Sequence, residues 1–155
     1  MDFTIVRVDK ENYPLFDDMI FARMHGRERT PGERAEERDL SPGLTALEDK
    51  NLHIFAAEAC GRYVGWVSAV YIPKAGKWAG RGHIFIDEMQ VLPEYRRNGI
   101  AYALMNAAEA VARERNAVGL RLYVDTENAG AVALYKKCGY VDQGGEAYFM
   151  EKGCG

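Results

Sequence analysis

The chain has 155 residues, 48% of them hydrophobic and 28% charged, with 20 Lys and Arg against 23 Asp and Glu. That length and composition fit one soluble domain over residues 1–155, built around one sizeable core. A net charge of −3 with both signs interspersed leaves no basic footprint for nucleic acid, and no apolar run approaches the ~20 residues that span a bilayer. Cys60, Cys138 and Cys154 are odd in number and scattered, which supports neither a disulfide framework nor a metal site. Met1-Asp2-Phe3-Thr4 lacks a signal-peptide pattern, so the expectation is a cytoplasmic protein that binds no metal and no membrane.

Phe3-Thr4-Ile5-Val6-Arg7-Val8 is rich in β-branched residues and predicts a first strand. A helix follows, with Leu15, Phe16, Met19, Ile20 and Arg23 on or near one face. Thr30 is placed to cap the next helix, with Pro31 at its first position and Glu33 where a capping box needs an acid. Ser41-Pro42-Gly43 is expected to break that helix before Leu44 and Leu47 resume a short one. Residues 24–50 carry little core pattern, and either a mobile flap over a site or a solvated helix pair accounts for them.

Residues 52–59 and 63–71 read as two strands, joined closely enough at Cys60-Gly61-Arg62 to form a hairpin. Three glycines and a proline make residues 73–82 a loop. Ile84-Phe85-Ile86 is a strand that ends in two acids, Asp87 and Glu88. Beyond it Ile100, Leu104, Ala107, Ala108 and Val111 recur at helical spacing, so a helix starts near Gly99 and ends near Arg115-Asn116. Leu120, Leu122 and Val124 alternate with Arg121 and Tyr123 in a further strand that ends at Asp125. Asn128 precedes a last helix with Ala131, Leu134, Tyr135 and Cys138 on one face, stopped by Gly139. Tyr140-Val141 and Ala147-Tyr148-Phe149-Met150 are expected to close the chain as a hairpin across Gly144-Gly145.

The turn between the acid-ended strand and its helix combines Arg96, Arg97 and Gly99 with a helix N-terminus. Unpaired N–H groups and the helix dipole favour an anion there. Gly99 lets the backbone close on a ligand, and the two arginines supply charge for phosphate. An ordinary connection using Asn98-Gly99 as turn chemistry explains the same residues, and this stretch alone leaves the two readings level. Neither G-x-G-x-x-G nor G-x-x-x-x-G-K-[ST] occurs, which sets aside dinucleotide and ATP sites of those kinds.

Two stretches together resemble the GNAT superfamily of acetyl-CoA-dependent N-acetyltransferases. Pro93-Glu94-Tyr95-Arg96-Arg97-Asn98-Gly99-Ile100-Ala101 is similar to its pyrophosphate-binding signature, Arg or Gln followed by x-x-Gly-x-Gly/Ala. Residues 128–140, from Asn128 through Ala131, Leu134 and Tyr135 to Gly139-Tyr140, are similar to its second signature, Asn-x-x-Ala-x-x-Leu-Tyr-x-x-x-Gly-Phe/Tyr. Ala101 stands for the commoner second glycine, and Arg97 occupies a position where glycine is frequent. The resemblance implies a mixed α/β fold, in the element order β-α-α-β-β-β-α-β-α-β-β. Its core would be a central, mostly antiparallel mixed sheet of six to seven strands flanked by about four helices. Members of the family often pair, so a homodimer is one assembly the resemblance allows.

What the resemblance implies for the site can be stated residue by residue. The pyrophosphate of acetyl-CoA, a cosubstrate, is expected on the N–H groups of Arg96, Arg97, Asn98, Gly99, Ile100 and Ala101. The pantetheine arm is expected beside Met89, Gln90 and Val91 and in contact with Asn128, which equally suits a helix N-cap. Tyr135 is the expected general acid: a phenol of reference pKa about 10 stays protonated at neutral pH and can donate to a thiolate. Helical periodicity by itself makes Tyr135 a packed core residue. An alkylamine, of reference pKa about 10.4, must lose a proton before it attacks, and Asp87 and Glu88 are the candidate bases. Adjacent strand residues face opposite ways, so one acid faces the substrate unless a bulge changes the facing; Asp87 is preferred. His25, His53 and His83 are scattered, and Cys138 reads as a buried structural thiol.

The expected reaction is direct transfer of an acetyl group to a primary amine of a small molecule that is polyamine-, aminoglycoside- or amino-acid-like. A peptide N-terminus as acceptor, a longer acyl donor and a non-catalytic acyl-CoA sensor are the alternatives. Tyr135 and the paired acids count against the sensor, since binding alone needs no proton donor.

Overall fold

Five strands lie side by side in one sheet in the computed structural model, which describes all 155 residues, and most of them are runs of β-branched and aromatic residues. They are β1 (Thr4–Arg7), β2 (Leu52–Ala59), β3 (Arg62–Ile72), β4 (His83–Val91) and β5 (Gly119–Arg121), in that spatial order. The first four are antiparallel, and β5 lies parallel to β4. The β2–β3 hairpin turns on Cys60 and Gly61, both in the left-handed region at φ 53° and 74°. A two-residue turn of that kind matches the twist of the strands it joins.

Five helices flank the sheet: α1 (Tyr13–His25), α2 (Pro31–Ala35), α3 (Ser41–Ala46), α4 (Ile100–Glu114) and α5 (Ala129–Lys137). α4 buries Ile100, Leu104, Met105, Ala108 and Val111 against one face, where Val64, Val67, Ile84 and Ile86 meet them. Leu104 is completely buried, so Leu104→Ala would cost about 2–5 kcal/mol through lost burial and the cavity left behind. α1 covers the other face of the sheet with Phe16 and Met19, packed on Tyr63 and Trp66. No helix is long and apolar enough to cross a membrane.

α2 has the predicted start, with the Thr30 hydroxyl accepting from the Glu33 amide and the Glu33 carboxylate accepting from the Thr30 amide. It ends at Ala35, and Ser41-Pro42-Gly43 begins α3 rather than breaking a helix. Proline fits the first turn of a helix, where its missing N–H has no intrahelical partner to lose. Gly43 is needed there for space, because a Cβ would fall 1.8 Å from the Tyr13 hydroxyl.

Several expectations about the fold are corrected. The sheet has five strands, not six to seven; three helices rather than two stand between β1 and β2, making five rather than about four; and the element order ends at α5 with no closing hairpin. β5 also stops at Arg121 instead of running to Asp125. Alternating residues make a strand only where a neighbour supplies hydrogen bonds, and β5 pairs with β4 through three residues alone, as far as Phe85 opposite Arg121. Gly144 and Gly145 do adopt a left-handed pair at φ 75° and 83°. Tyr148, Phe149 and Met150 nevertheless remain more than four-fifths exposed, so a hairpin here would bury nothing to hold it.

Candidate active site

β4 and β5 part company after Phe85 and Arg121, which opens a gap between the two strands. A cavity of about 360 Å³ lies in it, between Met89, Gln90 and Val91 on one side and Asn128, Ala131, Leu134 and Tyr135 on the other. Arg96 and Ala101 close the end nearest α4. Seven of the residues picked out in the sequence therefore line one space: Met89, Gln90, Val91, Arg96, Ala101, Asn128 and Tyr135.

The turn from β4 into α4 is held by its own side chains. Arg96 Nε donates to the Val91 carbonyl at 3.1 Å, and Asn98 Nδ2 donates to the Tyr95 and Arg96 carbonyls at 3.1 Å each. Gly99 caps α4 with a left-handed backbone at φ 82°, and no side chain satisfies the first N–H groups of the helix. Those groups face outward with the positive end of the helix dipole, as an anion site requires. Arg97 is also left-handed, at φ 61°, which accounts for why glycine suits this position. Its side chain is exposed, whereas the Ile100 side chain is buried in the core and offers only its backbone.

Tyr135 sits on α5, ring to ring with Tyr140 at 5.9 Å, and packs with Cys138 against the α4 side of the core. Burial raises the Tyr135 phenol above its ordinary range, and the neighbouring Cys138 adds to this. The group thus holds its proton at neutral pH. Cys138 is raised by burial as well, and then by Glu109, which keeps it a thiol rather than a nucleophilic thiolate. The Asn128 side chain accepts from the Ala131 amide at 3.1 Å, so it caps α5 while lining the cavity.

The two acids are separated by a β-bulge. Nine residues of β4 oppose eight of β3, and Asp87 is the one without a partner. Ile84 and Ile86 before it, and Met89 and Val91 after it, all face the α4 side of the core. The extra residue moves Glu88 to the opposite face, where it accepts from Trp66 Nε1 at 3.2 Å. Without the bulge, residue 88 would point into the core. Asp87 and Glu88 are both exposed and lie just beyond the cavity along β4, not in its lining.

α1 reaches the same strand from the Glu88 side, with Arg23 Nε donating to Gln90 Oε1 at 3.4 Å. A second cavity of about 370 Å³ adjoins there, with Arg96 common to both, and Arg23, Arg27, Glu28, Arg62 and Glu94 bring its charge. The segment leading into α2 is clasped to α1: Arg29 bonds Asp17 at 2.8 Å and Asp18 at 2.6 Å, and its guanidinium lies over Phe21. Arg38 approaches the same two acids at 3.2 and 3.4 Å. Residues 24–50 are therefore pinned chiefly by charge, with Leu47 alone of the segment packed on the second apolar cluster, which is why they carry little core pattern. The sequence places Arg23 on a helix face and Trp66 in a strand without linking either to Gln90 or Glu88, because those contacts cross the sheet or join separate elements and leave no local spacing to mark them. No cluster of His, Cys, Asp or Glu with metal-holding geometry occurs.

Residues 15–140 match the model of the Acetyltransferase (GNAT) family. An uncharacterised N-acetyltransferase of Methanocaldococcus jannaschii is 34% identical over 91 residues, which cover 57% of this chain and 39% of that protein. The N-alpha-acetyltransferase of Saccharolobus solfataricus is 35% identical over 82 residues, covering 46% of this chain and 48% of that protein. The matched stretch thus spans less than half the length of either relative. An aminoglycoside acetyltransferase from an uncultured soil metagenomic sample has a similar structure, with a TM-score of 0.77 over 98% of this chain and 100% of that one. Its sequence identity is 22%, so the likeness is one of fold.

Proposed function

Because this chain belongs to the Acetyltransferase (GNAT) family, we propose that it is an N-acetyltransferase, acting as one domain, that moves the acetyl group of acetyl-CoA onto a primary amine of a small molecule. One observation carries this: a single cavity between the parted strands has an anion-accepting helix N-terminus at one end and the protonated Tyr135 along its wall. The fit to the cosubstrate is chemical as well as spatial. The uncapped N–H groups of α4 with Arg96 and Arg97 suit a pyrophosphate, and Met89, Gln90 and Val91 border an elongated, partly apolar space.

Acetyl-CoA supplies the acetyl group as a thioester, which a neutral amine attacks directly. The chain contributes position, charge and protons. Backbone N–H groups of β4 that β5 leaves unpaired beyond Phe85 are available to polarise a carbonyl oxygen. Tyr135 donates its phenolic proton to the departing sulfur, since burial keeps that proton in place at neutral pH, and the second proton that the nitrogen sheds as the amide forms restores the phenol, directly or through water. Glu88, exposed on the face away from α4 and oriented by the Trp66 indole, takes the proton of the incoming ammonium directly or through water, with Asp87 beside it on the bulge. A peptide N-terminus is the second acceptor, favoured by the similarity to an N-alpha-acetyltransferase.

The test is ligand-induced stabilisation. Acetyl-CoA at about 100 times its Kd should add roughly 2.7 kcal/mol to the stability of the folded protein and raise Tm by several degrees. NAD and ATP should not. An unchanged Tm with acetyl-CoA and with longer acyl-CoAs would remove the proposal.

A further inference from the structure

The β-bulge at Asp87 has a second effect, on what the acceptor must look like. Phe85 lies on the face opposite Ile84 and Ile86, hence on the same face as Glu88. On β5, Leu120 packs toward α4 with Leu122 just beyond it, so Arg121 and Tyr123 face the Phe85 side. The Phe85 and Tyr123 rings meet at 5.8 Å, tilted at 59°. Tyr123 is 79% exposed and Phe85 half-buried. α4 is the helix packed on β4 and β5, and it covers the other face, whereas α1 packs on β3. An aromatic pair therefore stands open beside the two acids, at the point where the strands begin to part.

We infer that the acceptor is a monoamine bearing an aromatic or similarly flat apolar group, with its nitrogen at Asp87 and Glu88 and its ring on Phe85 and Tyr123. Three features favour this occupant. The acids complement an ammonium, and they adjoin the acetyl-transfer cavity, so the nitrogen is delivered where it is needed. Phe85 and Glu88 stand three residues apart across the bulge, at most about 10 Å along the strand, a distance that a short alkyl arm and its ring together span. Arg121 lies opposite Phe85 in register and is exposed, so a second ammonium reaching past the ring pair would meet a cation. That last feature disfavours polyamines and aminoglycosides, which carry several ammonium groups. The inference rests on the acetyltransferase reading and narrows it.

The test compares acceptors at saturating acetyl-CoA by following free CoA. 2-Phenylethylamine should show a KM about tenfold lower than ethylamine, the gain that stacking and burying one ring provides, and a higher kcat/KM than spermidine or kanamycin. Tyr123→Ala should raise the KM for 2-phenylethylamine toward that for ethylamine while the Kd for acetyl-CoA stays the same. Tyr123 is largely exposed, so the variant keeps its fold, and Phe85→Leu provides an independent second variant. A preference for spermidine or kanamycin, equal KM values with and without the ring, or no effect of Tyr123→Ala would overturn the inference and leave the acetyltransferase intact. Acetyl-CoA binding without CoA release for any amine would overturn both.

Discussion

In the proposed reaction Tyr135 and Glu88 divide the proton chemistry because their surroundings differ. The phenol is packed against Tyr140 and Cys138 and held above its ordinary pKa, whereas the carboxylate is exposed and fixed by one indole hydrogen bond. Tyr135→Phe should therefore lower kcat by about 10²–10⁴-fold, the usual contribution of a positioned acid, with little change in the Kd for acetyl-CoA. Steady-state kinetics with a calorimetric Kd checks both halves, and unchanged turnover would clear Tyr135 of the acid role. The place of Tyr135 on the wall of the cavity agrees with what the resemblance of residues 128–140 to a family signature implies, whereas helix periodicity alone describes a packed residue. The facing of the acids was not legible. Composition says nothing about where a strand gains an extra residue, and only the register of β3 on β4 shows that Asp87 is unpaired and Glu88 is turned from the core. Arg97 is a similar case: its left-handed φ of 61° explains why glycine is frequent at the position this bulky residue occupies, yet a sequence carries no φ.

Elements with both a cap and a buried stripe were read closely. α4 starts at Ile100 and α5 at Ala129, where Gly99 and Asn128 placed them, and the β2–β3 hairpin turns at Cys60-Gly61. The terminal hairpin and the length of β5 were misread for one reason. Period-two alternation reports a pattern, while a strand also needs an edge to pair with, and β4 turns away after Phe85. That same divergence opens the cavity, so the failed strand assignment borders the candidate site. α5 allows the two roles of its cap to be separated. Asn128→Ala should cost about 1 kcal/mol of stability, as cap removal does, and also weaken acetyl-CoA binding. Asn128→Asp should keep the cap, because an aspartate oxygen accepts from the Ala131 amide equally well, while losing the donor that the amide presents to the cavity. Chemical denaturation and acetyl-CoA titration distinguish the two. Equal stability in all three proteins would deny the capping role.

Over the whole molecule, two faces of one sheet do different work: α4 fills one face with a continuous apolar core, and the other is shared between α1 and the open β4–β5 surface. Away from the cavity, His53 is flanked by the Arg7 and Arg115 guanidiniums at 3.0 and 3.2 Å, while His83, two residues before Phe85 on β4, is 6% exposed. Burial first, and these cations second, lower the pKa of His53; burial, then Arg121 and Lys74, lower that of His83. A depressed folded pKa means that the unfolded chain binds more protons below its own value. Their contribution is therefore complete above about pH 6.5 and is lost as pH falls through the folded values. Thermal melts from pH 8 to pH 5 should show this decline, and His53→Gln should flatten part of it; a flat wild-type profile would contradict the assignment. The central claim concerns transfer, and the most direct measurement is free CoA release from acetyl-CoA across a panel of primary amines. Amine-dependent release, accompanied by a mass gain of one acetyl group on the amine, is the predicted result. Acetyl-CoA binding with no release for any primary amine or peptide N-terminus would contradict it.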